Sequence, residues 1–237
     1  MIFDPLYMAV IGVGMVLSLW ASAKTKGTFQ KFSRQATRRG LTGAQVAQAI
    51  LRDNGITNVR VEPVAGSLTD HYDPRNRTLR LSESVYGSNS MAAAGVAAHE
   101  VGHAIQHAQA YGPLQFRSLW VPVAGFGSGL SMIIIMAAMF LGGAATVMGH
   151  TAAVIGVALF ATTTLFTLVT LPVEFDASRR ALASLERGGY MAPDELKGAR
   201  SVLDAAALTY VAAAVTSILT LVYFAFRLGL LGGRRQD

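Results

Sequence analysis

The stretch SLWVPVAGFGSGLSMIIIMAAMFLGGAATVMGHTAAVIGVALFATTTLFTLVTLPV, residues 118–173, contains no Asp, Glu, Lys or Arg. An α-helix needs about 20 apolar residues to cross the hydrocarbon of a bilayer, so this run is long enough for two crossings. Gly142, Gly143 and Gly149 mark the short turn between them. Outward from this run, residues 5–23 (PLYMAVIGVGMVLSLWASA) and 205–226 are also uncharged. The sequence therefore predicts an α-helical polytopic membrane protein with about four transmembrane helices, at residues 5–23, 121–142, 150–172 and 205–227. Composition agrees: 52% of the 237 residues are hydrophobic and 14% charged, too apolar for a disordered chain or an ordinary soluble domain.

Four crossings leave residues 24–118 and 173–204 on one side and both termini on the other. Of the 20 Lys and Arg residues, 17 lie on the first side; only Arg227, Arg234 and Arg235 lie on the second. The positive-inside rule then makes the larger side cytoplasmic. The formal charge of +6 is explained by this topology rather than by nucleic acid. The cluster Lys24, Lys26, Lys31, Arg34, Arg38 and Arg39 is suited to anionic lipid headgroups. The opening residues MIFDP lack the basic region of a cleavable signal, so the first span is expected to remain as an anchor. GFGSG lies inside a span without a following Lys and is no phosphate loop.

In the region 24–118, Thr42 and Gln45 form a capping box for a helix ending at Asn54-Gly55. NVRVEPV and TLRLS alternate on either side of the turn-forming DPRN and predict two short strands, residues 59–64 and 78–82, whose exposed edge could accept an extended substrate as a third strand. Ser88, Asn89 and Ser90 offer an N-cap for the small-residue helix MAAAGVAAHEVGHAIQHAQA, which stops before Gly112-Pro113.

That helix carries the chemistry. His99 and His103 are one turn apart and project from one face, where both imidazoles can reach one zinc ion. Glu100 follows His99 and is placed to act as general base on a water at the metal without being a ligand. The chain has no cysteine, so metal ligands and catalysts must be His, Asp, Glu or hydroxyl residues, and a disulfide framework or thiol nucleophile is excluded. Three candidates compete. His107 is two turns from His99, about 12 Å along the helix, so the three histidines cannot share an ion; a supporting role suits it better. His71, in TDHYD, could reach the metal or instead donate a hydrogen bond to substrate. Glu174, in LPVEFDASRRA at the end of the third span, is the preferred ligand, because an acid there is costly unless partnered. Arg179 or Arg180 could pair with it instead. Ser178, one turn on, shares its face, whereas Asp176 points elsewhere and suits a supporting or salt-bridging role.

The run DHYDPRNRTLRLSESVYGSNSMAAAGVAAHEVGHAIQHAQAYGPL, followed by a span ending in LPVEFDASRRAL, closely resembles the YugP-like family of neutral zinc membrane metallopeptidases over nearly the whole chain. The arrangement is also similar to HtpX-like membrane proteases, in which the HExxH helix is joined by a downstream Glu. The resemblance implies a multi-pass protein of the bacterial plasma (inner) membrane with a small α+β, zincin-like catalytic region facing the cytoplasm. Matched residue by residue, it implies His99, His103 and Glu174 as ligands and Glu100 as base. It places Ser178 where the HtpX-like pattern has Asp.

The expected activity is that of a zinc metalloendopeptidase with one Zn2+ per chain, hydrolysing peptide bonds by zinc-activated water, with a role in membrane protein quality control. His71 and Tyr72 are candidate oxyanion donors, or alternatively caps of the hairpin. Expected partners are a peptide or membrane-protein substrate and the lipid bilayer, not nucleic acid. The organisation reads as an N-terminal transmembrane helix (1–23), a cytoplasmic peptidase region (24–118), two transmembrane helices (119–172), a cytoplasmic helical insert with the third ligand (173–204) and a C-terminal transmembrane helix with a basic tail (205–237). A rival reading is a catalytically silent membrane scaffold or chaperone that keeps the zinc-peptidase fold.

Overall fold

A computed structural model describes residues 4–231. The first three residues of MIFDP, and Arg234 and Arg235 of the basic tail, lie outside the described residues. The elements run α1 (Pro5–Ser33), α2 (Gly43–Asp53), β1 (Arg60–Val64), β2 (His71–Asp73), β3 (Thr78–Ser82), α3 (Glu83–Tyr86), α4 (Met91–Ala108), α5 (Gly112–Phe140), α6 (Val147–Arg187) and α7 (Pro193–Arg227).

Four of these helices, α1, α5, α6 and α7, are long and apolar enough to cross a membrane. Each is longer than the span expected for it, because the helical hydrogen-bond ladder is local and does not stop where side chains become polar. Thus α6 continues through Pro172 to Arg187, and α7 begins at Pro193, ahead of the uncharged stretch. Proline at that first position lacks only an N–H that would have no helical partner. Between α5 and α6, Gly142 (φ 92°) supplies the left-handed backbone at the turn.

The chain divides into two compact units. One comprises the described residues up to Leu19, Phe116–Thr170 and Tyr210 onward. Its centre is Ile135, Ala138, Ala153, Tyr223 and Phe224, and Gly156 lets α6 approach Ile135 of α5 closely. Leu119, Phe126, Phe140 and Val147 stand exposed on its surface, the pattern of helices solvated by lipid.

The second unit comprises Trp20–Gln115 and Leu171–Thr209. Its core joins Val46 and Ile50 of α2, Leu79 and Leu81 of β3, Val85 of α3, Val101 of α4, Leu185 of α6 and Val202 of α7. The capping box is present in both directions: Thr42 Oγ1 accepts from the Gln45 N–H and Gln45 Oε1 from the Thr42 N–H. The helix α2 ends at Asn54, followed by Gly55 at φ 68°.

The sheet differs from the two-strand expectation. Its order is β1-β3-β2: β1 runs parallel to β3, with Arg60 opposite Thr78, and β2 runs antiparallel to it, with Tyr72 opposite Leu79. The DPRN turn therefore closes a hairpin between β2 and β3, not between the two expected strands. Asp73 organises it by accepting from the Arg75 N–H (3.0 Å) and the Asn76 amide (2.7 Å). A three-residue strand with two polar side chains leaves too short a period to be read in sequence. The side of β3 open to a third strand is taken by β2, so the free edges are β1 and β2. As the central strand, β3 buries every residue except the partly exposed Arg80. Asp70 ties the incoming loop to its end by accepting from the Ser82 N–H (2.7 Å) and hydroxyl.

Candidate metal centre

The helix α4 starts at Ser90, whose hydroxyl accepts from the Ala93 N–H (3.2 Å), and it is lined with small residues that let neighbouring helices come near. A Cβ added at Gly102 would lie 2.5 Å from the carbonyl oxygen of Ala177 on α6. This contact sets the site. His99 and His103 lie three residues before and one after Gly102; Glu174 and Ser178 lie three before and one after Ala177. With helical periodicity on both sides, the close approach places these four side chains together.

One carboxylate oxygen faces both imidazoles. Glu174 Oε2 is 3.2 Å from His99 Nε2 and 3.5 Å from His103 Nε2. The rings of the two histidines meet edge to face with centroids 4.8 Å apart. One donor atom from each of the three residues lies within 4.8 Å of the others. Neighbouring ligands of a tetrahedral zinc ion are about 3.3 Å apart, close to the two imidazole–carboxylate separations. Two imidazole nitrogens and a carboxylate oxygen are donors zinc accepts, and three protein ligands leave one position for water. The donor set and its spacing fit the metal.

The far nitrogens of both rings are occupied. His99 Nδ1 meets Ser178 Oγ at 3.1 Å, and His103 Nδ1 meets Gln106 Oε1 at 3.0 Å. Both contacts leave Nε2 directed at the Glu174 carboxylate. The buried Gln106 amide donates in turn to the Val173 carbonyl (2.8 Å) and to Asp176 Oδ2 (2.9 Å). Arg179 and Arg180 pair with Asp176, not with Glu174. Gln106 is the residue that sequence reasoning missed. Its spacing, one turn after His103, was visible; its partner Asp176, far along the chain, was not.

Glu100 is buried, only 8% exposed, and makes no side-chain hydrogen bond or ion pair among the described residues. Burial disfavours a charged His103, but the hydrogen bond with Glu174 and the negative charges of Glu100 and Glu174 outweigh it, raising the imidazole above its ordinary value. His107 is not among the three converging groups; it shares a 2.8 Å hydrogen bond, through Nδ1, with the Tyr72 hydroxyl. Burial pushes the Tyr72 phenol up, keeping it neutral and able to donate. His71, its neighbour on β2, is exposed on the other face of the strand. Its Nδ1–H donates to the Thr69 carbonyl (2.8 Å), and its Nε2 lies 3.4 Å from the Arg80 guanidinium. His71 is not among the residues that converge on Glu174.

Comparison with known proteins bears on what this arrangement does. Residues 7–229 match the model of a family described as "Putative neutral zinc metallopeptidase". The "Putative membrane protease YugP" of Bacillus subtilis (strain 168) is 44% identical over 237 residues, covering all of both chains. No solved structure matches the chain.

Proposed function

Because the chain belongs to the neutral zinc metallopeptidase family, we propose that it is an integral membrane zinc metalloendopeptidase in which His99, His103 and Glu174 hold one zinc ion and Glu100 is the general base. The observation that carries this reading is the convergence of His99 Nε2, His103 Nε2 and Glu174 Oε2. Zinc held there would act as a Lewis acid on the scissile carbonyl and make water acidic enough to attack it at neutral pH.

The protein's own residues do the remaining work. Glu100 takes the proton of the attacking water and delivers it to the leaving amine, a role open to a carboxylate with no competing partner among the described residues. Ser178 and Gln106 hold the two rings with Nε2 forward. Tyr72, on the strand face toward α4 and hydrogen-bonded one turn beyond His103, is a better placed oxyanion donor than the outward-facing His71. The sheet edge formed by β2 would take an extended peptide through its backbone, favouring broad specificity and unfolded or membrane-protein substrates.

The peptidase region, residues 24–118 with the insert 173–204, faces the cytoplasm of a bacterial plasma membrane on this reading, as the Lys and Arg distribution favours. Membrane protein quality control is a role that suits such placement. The test is Glu100→Gln in the purified full-length chain. It is expected to retain about one zinc per chain and to lose hydrolysis of an unfolded protein by at least about 100-fold. Wild-type protein that holds no metal and hydrolyses nothing, with Glu100→Gln indistinguishable from it, would point instead to a silent scaffold or chaperone.

A further inference from the structure

We propose that Gln106 is a positioning residue that fixes the tautomer of His103, keeping the proton on Nδ1 and the Nε2 lone pair turned toward the site. This rests on reading His103 as a zinc ligand.

The argument is one of donors and acceptors. The Gln106 side chain is fully buried, so solvent cannot stand in for a missing partner. One end of its carboxamide faces the Val173 carbonyl oxygen at 2.8 Å and the Asp176 carboxylate at 2.9 Å. A carbonyl only accepts, and so does a carboxylate paired with Arg179 and Arg180. The group between them must be the NH2, and both of its N–H bonds are then used. The oxygen is left at 3.0 Å from His103 Nδ1. It can only accept, so Nδ1 must carry a proton. A neutral imidazole has one N–H; the Gln106 oxygen at 3.0 Å is nearer to Nδ1 than the Glu174 carboxylate at 3.5 Å is to Nε2, so the neutral ring keeps its proton on Nδ1 and Nε2 holds the lone pair, free for a cation on the side of Glu174.

The two histidines differ in this respect. Ser178 beside His99 Nδ1 is a hydroxyl, able to donate or accept, and it selects no tautomer. The amide at Gln106 selects one because its other end is saturated by partners on α6. Asp176 thus acts on the site through Gln106, as an acceptor that Arg179 and Arg180 hold in ion pairs.

The test combines a wild-type measurement with a variant. Side-chain 15N shifts of His103 in the metal-free chain, followed with rising pH to the plateau where the ring has lost one proton, should report the remaining proton on Nδ1. In Gln106→Met, which keeps the length and removes the hydrogen bonds, the proton should leave Nδ1. Zinc affinity measured by chelator competition should fall about 10–100-fold, the usual effect of losing an outer-shell partner. The d–d spectrum of the cobalt-substituted site should also change. A wild-type proton on Nε2 overturns the proposal; so does a folded Gln106→Met with unchanged zinc affinity and cobalt spectrum. If the variant does not fold, the wild-type tautomer decides alone. A wild-type Nδ1 proton in a chain that binds no zinc would leave the tautomer lock standing and sink the metallopeptidase reading.

Discussion

At the residue scale, Glu174 stands where the apolar stretch of α6 ends, two positions beyond Pro172. The acid is almost completely buried yet faces two imidazoles. A carboxylate there is costly unless partnered, and a divalent ion is a partner that the two imidazoles and the carboxylate together are built to hold. Glu174→Gln keeps the shape and removes the charge. It is expected to weaken zinc by more than about 100-fold, beyond the 10–100-fold typical of outer-shell changes, measured by chelator competition. His103 adds a pH dependence. Its raised value means that protonation favours the metal-free fold below the imidazole's unfolded value of about 6.5, and that this contribution is lost as pH rises through the folded value. Zinc requires the neutral ring, so its effect runs the other way. The rise in melting temperature produced by a fixed free zinc concentration should be larger at about pH 8 than at about pH 6.

At the element scale, the contact between α4 and α6 at Gly102 and Ala177 decides whether the ligands meet. An added Cβ would sit 2.5 Å from a backbone oxygen, which cannot rotate away as a side-chain tip could. Gly102→Val should force the helices apart, costing about 1–3 kcal/mol of stability and abolishing stoichiometric zinc. Thermal unfolding in detergent and metal analysis check both. Gly12→Ala, on α1, is the control: nothing lies within 4 Å of the added methyl, so stability should not fall and zinc content should be unchanged. The expected helix at α4 was legible because caps and apolar periodicity are local signals, carried by Ser90 and the small residues after it. The strand β2 was not, since three residues pair only because β3 is already in place beside them.

At the scale of the whole molecule, the absence of cysteine makes topology directly measurable, because any introduced cysteine reports alone. Arg75 lies in the exposed β2–β3 turn and Thr151 near the start of α6, both on the surface. Arg75→Cys should react with a membrane-impermeant maleimide only in inverted vesicles, and Thr151→Cys only in intact cells stripped of their outer barrier. Labelling of both from the same side would contradict the four-crossing arrangement read from the uncharged runs and the Lys and Arg distribution.

The sequence by itself determined the long helices, because the uncharged runs are contiguous and a helix satisfies its own backbone within a few residues. It also determined that His99 and His103 share a face, since their spacing equals one helical turn. It favoured Glu174 as their partner, but only the tertiary structure decided how the three are brought together. The Gly102 contact, the single Glu174 oxygen facing both rings, the reach of Gln106 to Asp176 and the parallel pairing of β1 with β3 all link residues far apart in the chain. Such contacts depend on how close two backbones can pack, and no local spacing in the sequence encodes that distance.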